Sequence, residues 1–309
     1  MTPSPSPSQP PEPPYRSVWQ DLSRTPFEQG FLKANGVATR YWRVDAASEV
    51  DVIFLHGTGG HVEGFARNIG AFGLAYRSWA IDLVGHGWSD LSDHDLEIDD
   101  YVEHLLHFIR TAGINRAILV GVSLGGWVAS RFAGRHPELV AGLVLITPGG
   151  SQSDRAVMST IQKTTSAAVG QLSWDTVRAR LEYLVHDPAQ IPDDLVATRM
   201  AIYGRPGMTE NMAHVLVLQR PEVRARNILD ADTYGRITAP TLVVWTEHDP
   251  TAPVSEGRRL AGMIPGAEFV VLADCAHWPQ FEAPERFNAL ALDFLSRAID
   301  PQVENDSVN

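Results

Sequence analysis

Three short stretches of this chain hold residue types that together could open a carbonyl compound. The first is Gly121-Val122-Ser123-Leu124-Gly125, a Gly-x-Ser-x-Gly pattern. It follows the apolar run Arg116-Ala117-Ile118-Leu119-Val120 and opens a stretch of small residues from Leu124 to Arg135. In that strand–turn–helix setting the pattern reads as a nucleophile elbow. The flanking glycines permit a sharp turn, and Gly126 lets the helix approach the sheet. Ser123 then stands exposed near the positive end of the helix. A serine hydroxyl is a poor nucleophile at neutral pH, so it requires a general base, and the base requires an orienting acid. The expected chain order is serine, acid, histidine, with each partner just after a late strand. Asp249, in Thr246-Glu247-His248-Asp249-Pro250, and His277, in Asp274-Cys275-Ala276-His277-Trp278, stand in that order. Glu247 is a competing acid but sits too close to its strand end to turn inward. Asp274 precedes the histidine by three residues and reads as a turn residue. His248 is the competing base and reads as a loop histidine.

Attack on a carbonyl builds charge on its oxygen, and two backbone N–H groups are the usual donors that stabilise it. Leu124, directly after the nucleophile, supplies one. Thr58, in His56-Gly57-Thr58-Gly59-Gly60, is expected to supply the other, with Gly57, Gly59 and Gly60 letting the loop come close. A phosphate cradle is the alternative for this loop. It lacks both the Gly-Lys-Ser/Thr ending and the Gly-x-Gly-x-x-Gly spacing, which argues against a nucleotide site.

The elements that must position these residues alternate between short apolar strands and amphipathic helices. Strands are expected at residues 50–55, 78–83, 116–120, 140–146, 241–245 and 268–272. Helices are expected at residues 101–111, 124–135, 254–263 and 284–298. After Pro148-Gly149-Gly150 the rhythm changes: from Ser151 to Tyr234 there is no convincing buried strand, only helical stretches such as 176–185 and 193–203. Near-continuous apolar strands separated by helices imply an α/β fold with a mostly parallel, doubly wound sheet. The expected organisation is a core from 15–147 and 236–300, with a helical cap, 148–235, over the C-terminal edge of the sheet, where such folds place ligands. Residues 1–14 are Pro/Ser-rich and 301–309 polar; both read as flexible tails.

The 309 residues carry a formal net charge of −12, with 44% hydrophobic and 20% charged residues. That balance fits a globular protein and disfavours nucleic acid or an anionic membrane as partner, since both require a basic face. The one cysteine, Cys275, can form no intrachain disulfide and build no metal site by itself, which fits the cytoplasm. No apolar stretch approaches the length of a membrane span, and the N-terminus lacks a signal-peptide run. The expected partner is a small-molecule substrate, with no cofactor and no metal.

These residues resemble an α/β-hydrolase over roughly Gly36 to Ala298. The resemblance rests on the Gly-rich loop at His56–Gly60, on Asp82-Leu83-Val84-Gly85-His86-Gly87-Trp88-Ser89, on the elbow, and on the Asp249 and His277 loops. Within the superfamily, His277-Trp278-Pro279-Gln280-Phe281-Glu282 is similar to the His-Trp-x-Gln-x-Glu signature of the meta-cleavage product hydrolases. Those enzymes hydrolyse a carbon–carbon bond in 2-hydroxy-6-oxo-hexa-2,4-dienoates. The resemblance implies that Arg199 meets the substrate carboxylate or its neighbouring oxygen, and that Trp278 matches the family's tryptophan after the catalytic histidine. A guanidinium is the natural fork for a carboxylate. It also implies a homo-oligomer. His61 and His86 read as structural. One departure stands out: the family often has asparagine before the nucleophile, and this chain has Val122. A carboxylesterase or lactonase using the same triad is therefore the rival reading, and a ligand receptor on the same scaffold a more distant one. The cap's Trp174, Tyr183, Leu184 and Met200 suggest a bulky apolar group on C6.

Overall fold

A computed structural model describes residues 17–299; the two expected tails, 1–14 and 301–309, lie outside them. Eight strands form one sheet in the order β1-β2-β4-β3-β5-β6-β7-β8. The strands are β1 (Glu28–Ala34), β2 (Val37–Val44), β3 (Asp51–Leu55), β4 (Arg77–Ile81), β5 (Ala117–Val122), β6 (Val140–Ile146), β7 (Thr241–Thr246) and β8 (Glu268–Leu272). From β4 across to β8 neighbouring strands run parallel, while β1 and β2 form an antiparallel pair at one edge. Every residue of β3, β5, β6 and β7 is buried. Strands covered on both faces have no polar side to alternate with, which is why they read as unbroken apolar runs.

The edge hairpin was not among the expected elements. It turns at Asn35-Gly36, both with positive φ, of 47° and 86°. Asn-Gly is the pair that a two-residue turn of this hand favours. The strand before it is half exposed, so its hydrophobic signal is weak.

Between β6 and β7 the described residues contain helices and no strand, as expected. The main ones are Arg155–Gly170, Trp174–Glu182, Asp193–Tyr203, Met208–Val215 and Pro221–Asn227. Asp154 caps the first by accepting from the amides of Ala156 and Val157, and Ser173 opens the second with a capping box. This helical segment is tied to the sheet's C-terminal edge by its backbone and side chains. The Leu184 carbonyl accepts from the His277 amide at 3.0 Å. The Tyr203 hydroxyl donates to the Gly59 carbonyl at 3.0 Å, and Arg205 Nη1 donates to the carbonyls of Gly87 and Ser89.

Three histidines are buried under this edge, and each is held neutral. His56 Nε2 accepts from the Leu83 amide while its Nδ1 faces the Gly57 carbonyl at 2.8 Å. One ring nitrogen must donate and the other accept, which only the neutral ring can do. His104 bridges Thr39 Oγ1 and the Val84 amide in the same manner. His86 Nδ1 faces the Val84 carbonyl. Burial pushes His86 and His104 down to about 4, and His56 well below its ordinary value. The unfolded chain binds protons at these groups near pH 6.5 and the folded chain does not. Their contribution to stability is therefore complete above about pH 6.5 and is lost as pH falls toward 4. For His86 and His104 the loss is on the order of 3 kcal/mol each at the lower limit. Thermal unfolding followed from pH 8 to 4 is expected to show a plateau above pH 7 and a steep fall below 6.5. A melting temperature flat down to pH 5 would contradict this.

Candidate active site

The elbow is built by close backbone contact. Ser123 has φ 54° and ψ −113°, a conformation that L residues rarely adopt. Its amide donates to the Ile146 carbonyl, and its carbonyl accepts from the amides of Trp127 and Gly149. The flanking glycines have no alternative. A Cβ at Gly125 would lie 2.0 Å from the Leu55 carbonyl oxygen, and one at Gly121 would lie 2.4 Å from that of Gly125. Gly126 has a Cβ position 2.7 Å from Pro148, so it too sets a close approach.

His277 and Asp249 meet behind this turn. His277 Nδ1 lies 3.0 Å from Asp249 Oδ1, and both side chains are buried. The same Oδ1 accepts from the Thr251 amide and from Thr251 Oγ1, each at 2.8 Å. Thr251 thus fixes the carboxylate that fixes the imidazole, a part that sequence reasoning missed. His277 and Ser123 line one cavity together with Gly57, Thr58, Arg180 and Trp278. The order serine, acid, histidine therefore converges in space. The competing groups do not join it. Glu247 and His248 are exposed, 3.8 Å apart. Asp274 is exposed with φ 57°, a left-handed turn position.

The Gly-rich loop passes directly over the serine. A Cβ at Gly57 would stand 3.1 Å from the Ser123 Cβ and 3.7 Å from its Oγ. Gly59 has φ 69° and no room for a side chain beside Tyr203. Thr58 lines the cavity on both sides of Ser123. Leu124 is the first residue of its helix, so its amide is one of the donors that the helix leaves unpaired. The second side of the cavity runs past Trp127, Met158, Leu218, Arg224 and Trp245. Of the cap residues singled out from sequence, Tyr183 and Leu184 line the cavity with Ser123. Trp174 does not, being 38% exposed on the surface, and Met200 is only partly buried against the core.

The His277 loop is organised by Glu282. Its carboxylate accepts from the amides of Ala276 at 2.9 Å and Trp278 at 3.3 Å, one on each side of the histidine. It also accepts from the His186 amide at 2.6 Å, which ties the loop to the helical segment. Burial holds its pKa above the ordinary carboxylate value despite these three donors. The signature glutamate thus acts on the backbone around the histidine, a role that its place in the motif did not disclose.

Arg199 is 1% exposed and no carboxylate among the described residues pairs with it. Its guanidinium lies 5.6 Å from the Trp278 ring and 5.9 Å from the Tyr203 ring. Its Nε donates to His61 Nε2 at 3.3 Å, and His61 Nδ1 faces Glu63 at 2.6 Å. Glu63 in turn holds Arg40, which also reaches Asp82. Burial lowers the Arg199 pKa. His61 is therefore a link in a buried polar chain as well as a structural residue. Trp278 is buried, packs edge-on against Phe281, and also lines the cavity. Val122 is 2% exposed at the end of β5.

Comparison with known proteins places this geometry. The family described as "Alpha/beta hydrolase family" matches residues 52–290. A 2-hydroxy-6-oxononadienedioate/2-hydroxy-6-oxononatrienedioate hydrolase from Burkholderia vietnamiensis (strain G4 / LMG 22486) is 34% identical over 261 residues, covering 80% of this chain and 87% of the relative. A 2-hydroxy-6-oxo-6-phenylhexa-2,4-dienoate hydrolase from Comamonas testosteroni is 32% identical over 253 residues, covering 79% and 87%. The crystal structure of a meta-cleavage product hydrolase from Pseudomonas fluorescens IP01 superposes with a TM-score of 0.76 at 27% identity, covering 87% of this chain and 98% of that one.

Proposed function

The chain belongs to the alpha/beta hydrolase family, and from that premise we propose that it hydrolyses a carbon–carbon bond in a 2-hydroxy-6-oxo-hexa-2,4-dienoate-type meta-cleavage product. The products are a 2-hydroxypenta-2,4-dienoate and a carboxylic acid. The observation that carries this reading is the pairing of a Ser–His–Asp constellation with Arg199, buried against the Trp278 ring of the cavity wall and free of any carboxylate partner among the described residues. A desolvated cation near the site favours a substrate that carries an anion, which a dienoate brings and a simple ester does not. The relatives' own substrates, named above, are acids of this class.

The reaction follows from the site's geometry. The bound dienol first ketonises, so that the C5–C6 bond lies beside an electron-accepting carbonyl. His277, oriented by Asp249, removes a proton from Ser123 or from a water as it attacks the C6 ketone. The amides of Leu124 and Thr58 receive the charge on the former carbonyl oxygen. The C5–C6 electron pair then leaves to C5, which already gained its proton on ketonisation, and delocalises through the conjugated chain onto the C2 oxygen as a dienolate. Water supplies the hydroxyl that ends on C6 and the proton that ends on the C2 oxygen. Arg199 and Trp278 form the positively charged, aromatic side of the site toward which the substrate acid points. Gly57 and Gly59 let the backbone close over the reacting carbon. The same reading makes the protein a cytoplasmic homo-oligomer acting on a small molecule. No helix of the described residues is long and apolar enough to cross a membrane.

The rival is a carboxylesterase or lactonase with the same triad. It is favoured by Val122, which presents no hydrogen bonder beside the nucleophile. Steady-state turnover of 6-phenyl and 6-alkyl dienoates, set against p-nitrophenyl esters, decides between them. The expected result is a kcat/KM on the better dienoate at least about 100-fold above that on the esters, a transition-state preference near 3 kcal/mol. The reverse preference would establish the ester reading instead.

A further inference from the structure

Arg224 lies on one side of the cavity; on the other side, lined by both Ser123 and His277, Arg180 is the one residue with a permanent charge. It comes from the Trp174–Glu182 helix and is 4% exposed. Its Nε donates to Thr165 Oγ1 at 3.0 Å. Its Nη1 is buried without a hydrogen-bond partner. The Tyr183 ring lies 5.8 Å from the guanidinium. The titratable groups that act on it are Tyr203, Arg199 and Tyr183, with no carboxylate among them, and burial pushes its pKa down to about 10. A guanidinium desolvated in this way without an anion destabilises the fold. Arg199 differs in two respects: it is not part of that cavity's wall, and its Nε is already engaged by His61 between two aromatic rings.

We propose that Arg180 is a further residue that binds the carboxylate of the substrate, set in the cavity wall and acting together with Arg199. Resting on the dienoate reading above, this assigns the anion-binding role at the cavity wall to a helix that the motif resemblance does not reach. The substrate acid completes the hydrogen bonding of Nη1 and neutralises a charge that the protein leaves unpaired. Ser123 and His277 stand in the same wall, so an acid held there lies beside the reacting group. The ligand class is a small planar carboxylate whose carbonyl lies within one molecule's length of the acid.

Arg180→Met and Arg180→Lys test the assignment through inhibition, specificity and stability together. Benzoate serves as the probe, as an inhibitor of p-nitrophenyl acetate hydrolysis. Its inhibition constant is expected to rise at least about 10-fold in Arg180→Met and to lie between the two in Arg180→Lys, which keeps the charge but not the fork. The ratio of kcat/KM on a 6-phenyl dienoate to that on the ester is expected to fall about 30-fold in Arg180→Met, mostly through KM. Its melting temperature is expected to hold or rise, because an unpaired buried charge has been replaced by an apolar chain of similar length. An unchanged benzoate constant with an unchanged ratio would overturn the proposal. So would a fall in melting temperature with both substrates impaired equally, which marks a structural role. Loss of benzoate inhibition in an enzyme whose wild type turns over no dienoate would keep the anion site and remove the dienoate reading.

Discussion

Ser123→Ala is expected to lower kcat on dienoate and ester alike by about 10⁵-fold or more, the scale seen when a triad nucleophile is removed. Binding of the dienoate to the variant is expected to stay close to that of the wild type. The reason is that the hydroxyl has no part in holding the turn. The elbow is fixed by the Ser123 backbone, through the Ile146 carbonyl and the amides of Trp127 and Gly149. It is fixed as well by the glycines at 121 and 125, whose neighbours leave no space for a Cβ. Alanine keeps the Cβ that already occupies the φ 54° position. The amides of Leu124 and Thr58, proposed to receive the oxyanion, belong to segments that this change does not disturb, so a residual rate above the uncatalysed reaction is expected. Steady-state kinetics with equilibrium binding of the dienoate measure both halves of the expectation, and a fluorophosphonate should label the wild type alone. If the variant kept kcat within about 10-fold, the serine would be a positioning group and His277 would be activating water directly.

The chemistry-bearing loops were legible because their signals are local. An elbow requires glycine two residues either side of the nucleophile, and here Leu55 and Gly125 backbone atoms explain both. The parallel strands were legible for an equally local reason: β3, β5, β6 and β7 are buried throughout, and so are apolar throughout. Glu247 reads as too close to its strand end, His248 as a loop histidine and Asp274 as a turn residue; in the structure all three are exposed, whereas the side chains of Asp249 and His277 are buried.

What remained hidden depends on contacts between segments distant in sequence. Glu282 stood in the quoted signature, yet its work is to hold the amides of Ala276 and Trp278 and, from the helical segment, that of His186. The chain Arg199–His61–Glu63–Arg40 draws on three separate stretches, and no spacing rule joins them. Arg180 carries no motif; its spacing shares the buried face of Val177 and Leu181, but a lone arginine there has no local signal that marks it as part of a site. The β1–β2 hairpin is different. Its Asn35-Gly36 turn is a readable signal, and it was overlooked because the strand before it is half exposed and carries little apolar contrast.

Asp249→Asn is expected to cost about 10⁴-fold in kcat while leaving the fold and KM nearly intact. Asp249 is buried, and its Oδ1 is the shared acceptor of His277 Nδ1, the Thr251 amide and Thr251 Oγ1. Thr251 can only donate through its amide, so the asparagine oxygen is drawn to the Oδ1 position. Its NH₂ group then occupies the site of Oδ2, which has no partner in the native chain. The geometry is kept, but the negative charge that stabilises an imidazolium on His277 is gone. If the amide instead turns its NH₂ toward His277, Nδ1 must accept, the proton moves to Nε2, and the ring can no longer serve as base toward Ser123. Both arrangements remove the same function by different routes. The distinction between charge and shape is measurable. Asp249→Glu restores the charge and should recover part of the rate if the longer chain can still reach Nδ1, whereas Thr251→Val, which removes one donor and keeps the amide, should cost far less than the loss of the carboxylate. Activity in Asp249→Asn within about 10-fold of the wild type would show that His277 is oriented by its backbone ties to Leu184 and Thr147 alone, and that the acid has no electrostatic share in the step.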